Sequence, residues 1–345
     1  MENLYYSDYI ELDTILNSQH PRSFEKMEDG NDEMLFIIVH QAYELWFKQI
    51  IFELDRVRNI FIRGRINDNS PDMSNVVYKL KRIVKILELL NQQVGVLETM
   101  TALDFLEFRN SLLPASGFQS KQFRLIEAKL GLKMGQRYKR EYYKHSRRGS
   151  LSEIDLEEVN LTENESTLKE LILKWLERMP FFEEKYWVDY KAKGESKDGH
   201  KFWSDYRNAY QSSLSENEGG RLAEFDKVFF NEGREDISPA AMRAALFITL
   251  YRNLPIFQLA FELLNTLSEI DEQLSNWRYR HFMMVRRMIG LRVGTGGTSG
   301  AGYLEGTLSH HYAFREITEV ATFLIERSKL PALPDVLKEK VSFSL

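Results

Sequence analysis

Between Glu33 and Ile60 apolar residues return at three- and four-residue steps: Leu35, Phe36, Val39, Tyr43, Trp46, Phe47, Ile50, Ile51, Leu54 and Val57. The flanking breakers are Gly30 and Gly64. Only a 3.6-residue turn brings these positions onto one face, so the stretch predicts a single long amphipathic helix. The same period runs from Met73 to Met100 through Val76, Leu80, Ile83, Leu87, Leu90, Val94 and Leu97, ending near Thr101 before a shorter helical stretch at Leu103–Leu112. Two long helices joined by a short polar turn predict an antiparallel pair. Ser238-Pro239 has the form of an N-cap followed by proline at the first helical position, opening a helix over Ala240–Leu254. Pro255 then kinks or breaks the chain, and a further long helix follows over about Ile256–Ile289. No alternating Val/Ile/Thr run with a tight glycine turn is present, so the expected class is all-α, a helical bundle core.

Composition narrows the chemistry. A chain of 345 residues that is 43% hydrophobic can bury a substantial core. It contains no cysteine, which excludes thiolate-ligated haem, iron–sulfur clusters, cysteine-based zinc sites, disulfides and cysteine nucleophiles. Any metal must rest on His, Asp or Glu. The N-terminal Met1–Asp13 is acidic without an apolar centre, and no run approaches the roughly 18 apolar residues of a membrane span. A soluble cytoplasmic protein is therefore expected.

The chain is expected to form one domain over 1–345, with a charged helical subdomain inserted at about 145–235. Its approach is basic (Lys133, Arg137, Lys139, Arg140, Lys144, Arg147, Arg148) and interleaved with Tyr138, Tyr142 and Tyr143, superficially like a nucleic-acid patch. Acidic residues from Glu153 to Glu165 follow directly, and the net charge is -5. A solvated charged face accounts for this pattern better than nucleic-acid binding, so a small-molecule partner is expected.

Of seven histidines, two lie in strongly apolar helical stretches. His281 shares one predicted face with Trp277, Met284, Val285 and Met288, a setting of large soft side chains suited to a porphyrin held by one axial nitrogen. A hydrogen-bonded core histidine has the same pattern, and periodicity leaves both readings open. His40 lies one turn after Phe36 and projects the same way. No His-x-x-x-His or Glu-x-x-His spacing accompanies either residue, against a zinc hydrolase or di-iron bundle. Adjacent His310 and His311 are poorly placed for joint ligation. Gly294–Gly300 lacks the lysine of a phosphate-binding loop and follows a helix, not a strand. It is either a plain terminating loop or a segment whose backbone can close on a polar ligand.

Four motifs together resemble the tryptophan 2,3-dioxygenase family, over nearly the whole chain. They are Tyr6-Ser-Asp-Tyr9 with Ile10 and Leu12; Asp32–Gln49, including Phe36 and His40; Leu97–Arg109 running on to Ser120; and Trp277–His281 through Gly300. The resemblance implies a helical, homotetrameric protein (a dimer of dimers) carrying haem b, ferrous when active, with His281 as the iron ligand. It implies that His40 contacts the indole N–H and that Phe36 and Phe105 pack the ring. Arg109 would take the substrate carboxylate and Thr295 would sit beside its ammonium, with Gly294 and Gly296 counted among the cofactor-side positions. Tyr6 and Tyr9 would reach a neighbouring subunit's pocket, from a terminal segment of about residues 1–20. The implied reaction inserts both atoms of O2 across the indole C2=C3 bond of L-tryptophan, giving N-formylkynurenine without external electrons. Asn31 before Asp32-Glu33, Phe105 and Thr298 depart from common family residues, and none touches the expected ligand or carboxylate clamp. The rival expectations are a haem-dependent monooxygenase on the same scaffold and a helical assembly protein that binds no haem.

Overall fold

The computed structural model describes residues 4–25, 31–64, 66, 70–132, 151–193, 201–231, 233, 237–292, 300–308 and 311–341. Three long helices form the frame: α1 (Glu33–Ile62), α2 (Pro71–Leu97) and, much later in the chain, a 35-residue helix at Pro255–Ile289. Shorter helices lie between them: α3 (Ala102–Arg109), α4 (Lys121–Leu130), α5 (Glu153–Glu163), α6 (Leu168–Glu177), α7 (Lys201–Gln211) and α8 (Pro239–Leu250). The long third helix is then α9, and α10 (Gly300–Thr307) follows it. No strand is present among the described residues, so the class is all-α as expected.

Local chemistry sets the boundaries. Ser70 accepts a hydrogen bond from the Met73 amide at 3.2 Å, and Pro71 occupies the first helical position of α2. Ser238 caps α8 in the same way, 3.3 Å from the Ala241 amide, with Pro239 next. The sequence predicts that α8 runs to Leu254, but it ends at Leu250. Leu254 is extended because a residue before proline is driven out of the helical region, and Pro255 then starts α9 at a bend of 114°. Thr101 and Asp104 bond reciprocally at 2.8 and 3.3 Å, a capping box that starts α3.

α2 lies between α1 and α9 and packs along both, so the predicted antiparallel pair becomes part of a three-helix layer. Leu54, Val57, Met73, Val76, Leu80, Leu263 and Leu267 are completely buried between them. Described residues from 168 to 231 join this same core through Trp175, Phe202, Trp203, Tyr206, Tyr210 and Phe225. α6 packs on both α1 and α8, and α4 packs on α1 and α5. Gly131 ends α4 at φ +127° with Lys169 Cβ 2.8 Å from where its own Cβ would be, which brings the foot of α4 against α6. Among the described residues, no single helix is long and apolar enough to cross a membrane.

Candidate functional site

A cavity of about 270 Å³ opens where α1, α3, α4 and α9 converge. α1 contributes Phe36, His40, Tyr43, Glu44 and Phe47, and α3 contributes Phe105 and Arg109. α9 contributes Trp277, Arg278, His281, Met284, Val285, Met288 and Ile289, which includes the whole face expected from its spacing. The fourth wall is the turn Ser116–Phe118 with Ser120 and Phe123. The helical repeat explains the clustering: positions three and four apart stack on one side, so each helix turns an apolar stripe inward with one or two polar groups upon it.

His281 is held by stacking. Its ring lies 5.1 Å from that of Trp277, one turn earlier, at an interplanar angle of 15°. Its Nδ1 is sealed from solvent and has no hydrogen-bond partner among the described residues, which speaks against a hydrogen-bonded core histidine. The nitrogen available to a group in the cavity is therefore Nε2. Burial, reinforced by His40, pushes the imidazole down to about pKa 4, so it is neutral at pH 7. A neutral, soft-walled imidazole nitrogen facing an apolar cavity fits the axial requirement of a haem iron.

His40 is oriented differently. Its ring packs on Phe36 at 4.0 Å, and Nδ1 lies 2.7 Å from the Phe36 carbonyl oxygen. A carbonyl only accepts, so Nδ1 carries the proton and Nε2 of the neutral ring is an acceptor. Much of the ring surface is accessible, but it opens onto the cavity. Desolvation there lowers its pKa, against smaller opposing effects of the Phe36 carbonyl and Glu44. Phe36 also meets Phe105 at 6.0 Å and Phe108 at 5.7 Å, an aromatic wall beside His40. Arg109, the last residue of α3, brings a guanidinium to the same cavity.

Two polar assemblies here were not expected from the sequence. Glu44, one turn past His40, accepts from Ser120 Oγ at 2.6 Å and from Gln122 Nε2 at 2.8 Å, tying the start of α4 to α1. Deeper in, the buried Glu127 carboxylate accepts from Arg124 Nη1 at 2.8 Å, Arg278 Nη2 at 3.1 Å and His311 Nδ1 at 3.3 Å. Arg278 Nη1 also donates to the His311 carbonyl at 2.7 Å, so α4, α9 and the chain after α10 meet at one carboxylate. The cluster carries no periodic signal, because charged residues of this kind read from sequence as a solvated face. The Arg124-x-x-Glu127 spacing was the only hint.

Of the expected site residues, His281, His40, Phe36, Phe105 and Arg109 come together in this cavity. Tyr6 and Tyr9 do not line it; they sit on a short helix, Tyr6–Tyr9, exposed by 74% and 72%. Gly294, Thr295 and Gly296 lie outside the described residues, as does His310. Among the described residues no group of three or more His, Cys, Asp or Glu is arranged to hold a metal.

Residues 1–324 match the family model described as tryptophan 2,3-dioxygenase. Over 376 residues the chain is 40% identical to tryptophan 2,3-dioxygenase of Dictyostelium discoideum, covering 99% of this chain and 89% of that protein. It is 41% identical over 359 residues to that of Bdellovibrio bacteriovorus, covering 99% and 98%. It is 43% identical over 360 residues to tryptophan 2,3-dioxygenase A of Danio rerio, covering 96% and 84%.

Proposed function

Because this chain belongs to the tryptophan 2,3-dioxygenase family, we propose that it opens the indole ring of L-tryptophan with both atoms of O2 to give N-formylkynurenine, the first step of tryptophan degradation. The observation that carries this reading is the convergence of His40, Arg109 and His281, from three separate helices, on one apolar cavity. His281 would hold the iron of haem b through Nε2. When bound, ferrous haem supplies the activation of O2, which the protein side chains cannot provide.

The chain's own residues then bind and orient. Neutral His40 offers Nε2 as an acceptor to the indole N–H, which fixes the ring's rotation. Phe36 and Phe105 press on the ring's apolar surface and exclude water. Arg109 can make a bidentate, charge-assisted pair with the substrate carboxylate, so the amino-acid end is anchored while the C2=C3 bond is presented. Thr295 is assigned to the ammonium and Gly294 and Gly296 to the cofactor side, on the resemblance of their motif. The product gains both oxygen atoms and no external electrons are consumed. Turnover under 18O2 should accordingly give product heavier by two labelled oxygens; a single labelled oxygen would make the enzyme a monooxygenase.

The assembly is proposed to be a cytoplasmic homotetramer, a dimer of dimers, without nucleic-acid or membrane partners. Exposed Ile38, Leu45, Trp46 and Phe52 along α1 support it, as does the groove that Leu45 and Trp46 share with Ile86 and Leu89 of α2. Tyr6 and Tyr9, exposed on their own chain, suit a role in a neighbour's pocket, where a ring walls off the substrate and a hydroxyl keeps a polar partner. A chain lacking residues 1–12 and a full-length Arg109→Leu chain should each bind tryptophan poorly. For Arg109→Leu the loss should be about 10- to 150-fold, the range of a hydrogen bond to a charged group. Co-assembled, they should regain activity, since a hybrid site combines an intact terminus with an intact Arg109. Demonstrated mixed oligomers without recovery would refute placement of the tyrosines in trans.

A further inference from the structure

We infer that Trp277 is the positioning residue for the iron ligand, setting the rotation of the His281 imidazole by stacking where a hydrogen bond would otherwise do so. The inference rests on the reading of His281 as the axial ligand, and nothing in the proposed reaction assigns a role to Trp277.

Ligating histidines ordinarily donate their second ring nitrogen to a carboxylate, a carbonyl or water, which fixes both tautomer and orientation. Among the described residues His281 has no such contact: its Nδ1 is buried and unpartnered. The torsion that turns an imidazole about its Cβ–Cγ bond has broad, shallow preferences, so packing alone must choose the angle. The surface that does so is the Trp277 indole, nearly parallel to the ring at 5.1 Å. That indole is itself immobilised on other sides. Phe123 of α4 lies 4.9 Å away at 37°, and Tyr43 and Phe47 of α1 present their rings edge-on at 6.2 and 6.5 Å. Tyr43 is fixed in turn by donating its hydroxyl hydrogen to the Leu90 carbonyl of α2 at 2.8 Å.

The orientation of the ligand is therefore relayed from α1, α2 and α4 through aromatic faces. The neighbouring residue fastens the same turn of α9, since Arg278 bonds the Glu127 carboxylate of α4 at 3.1 Å. A stack one turn apart on a single helix moves with that helix, so ligand and orienting surface keep their relation even if α9 shifts as a body.

The test uses haem-loaded Trp277→Phe and Trp277→Leu proteins, with two readouts independent of turnover. These are the rate of haem transfer to excess apomyoglobin and the iron–histidine stretching band of the ferrous protein in resonance Raman spectra. Trp277→Leu should release haem about 2- to 10-fold faster, the range expected for an aromatic pair, and should shift or broaden the band. Trp277→Phe keeps a ring against His281 and should restore most of both. If Trp277→Leu does not accumulate folded, Trp277→Met replaces it as a flexible apolar filler without a ring face. Wild-type release and an unchanged band in the ringless variant would overturn the inference, as would a folded Trp277→Phe protein no better than the ringless one. His281→Ala serves as the control. If it retains haem, the ligand assignment itself fails; if it loses haem while the Trp277 variants behave as wild type, only the stacking inference fails.

Discussion

His281→Ala should yield a folded protein that purifies almost free of haem and opens no indole ring. The substitution removes the one cavity histidine whose ring has no hydrogen bond among the described residues, a neutral and enclosed imidazole. The other described histidines on the cavity are committed elsewhere: His40 through Nδ1 to the Phe36 carbonyl, and His311 through Nδ1 to Glu127. Neither moves to the vacated position without leaving a buried partner behind. Loss of an outer-shell contact alone lowers metal affinity about 10- to 100-fold, so loss of the ligand itself should exceed that range. Soret absorbance per chain measures it, with far-ultraviolet circular dichroism to confirm that the helices persist. Added imidazole should return part of the absorbance by occupying the same place. Stoichiometric haem with an unaltered spectrum would sink the assignment.

Glu127→Ala should be the most destabilising single change at the site. It deletes the carboxylate at which Arg124, Arg278 and His311 meet and leaves two guanidinium groups in an enclosed place, their side chains only 7% and 4% accessible. Removing one partner of a buried ionic cluster costs about 3–5 kcal/mol, because the remaining charges keep their desolvation penalty and lose its compensation. The midpoint of chemical unfolding, compared at equal denaturant slope, reads the loss directly. A change below about 1 kcal/mol would show that the cluster contributes no more than an exposed pair does. Replacing Arg124, Glu127 and Arg278 together by apolar residues of similar size should be far milder than Glu127→Ala alone, because no orphaned charge remains.

The long helices were legible in the sequence because their signals are local. An unbroken helical period fixes α1 and α2 within a few residues, Pro255 fixes the start of α9, and Ser238-Pro239 that of α8. The face joining Trp277, His281, Met284, Val285 and Met288 was legible for the same reason. Where α8 stops was not: Pro255 drives only Leu254 out of the helical region, and nothing in Tyr251-Arg-Asn marks the end at Leu250. The stretch from 168 to 231 read as part of an inserted charged helical subdomain. Yet Trp203, Tyr206, Tyr210 and Phe225 are all within the core, and even their neighbour Asp205 is buried, where it accepts from the Tyr190 hydroxyl at 2.9 Å. Least legible was the Glu127 cluster. An Arg and a Glu three apart on a helix look the same whether they face water or a cavity, and the partners that decide the matter are Arg278 and His311, more than 150 residues away.

The cavity walls come from residues 36–47, 94–124, 127, 277–289, and from Leu304, Thr307 and His311, so these walls are drawn from segments far apart in the chain. Whatever occupies the cavity therefore binds the finished fold in preference to the unfolded chain. By mass action such an occupant stabilises the fold by RT ln(1 + [L]/Kd), about 2.7 kcal/mol at a hundred times its dissociation constant. Cofactor and substrate supply thus set how often the chain opens to proteases as well as how fast it turns over. The abundance of this protein should follow its ligands, with no separate regulatory domain required.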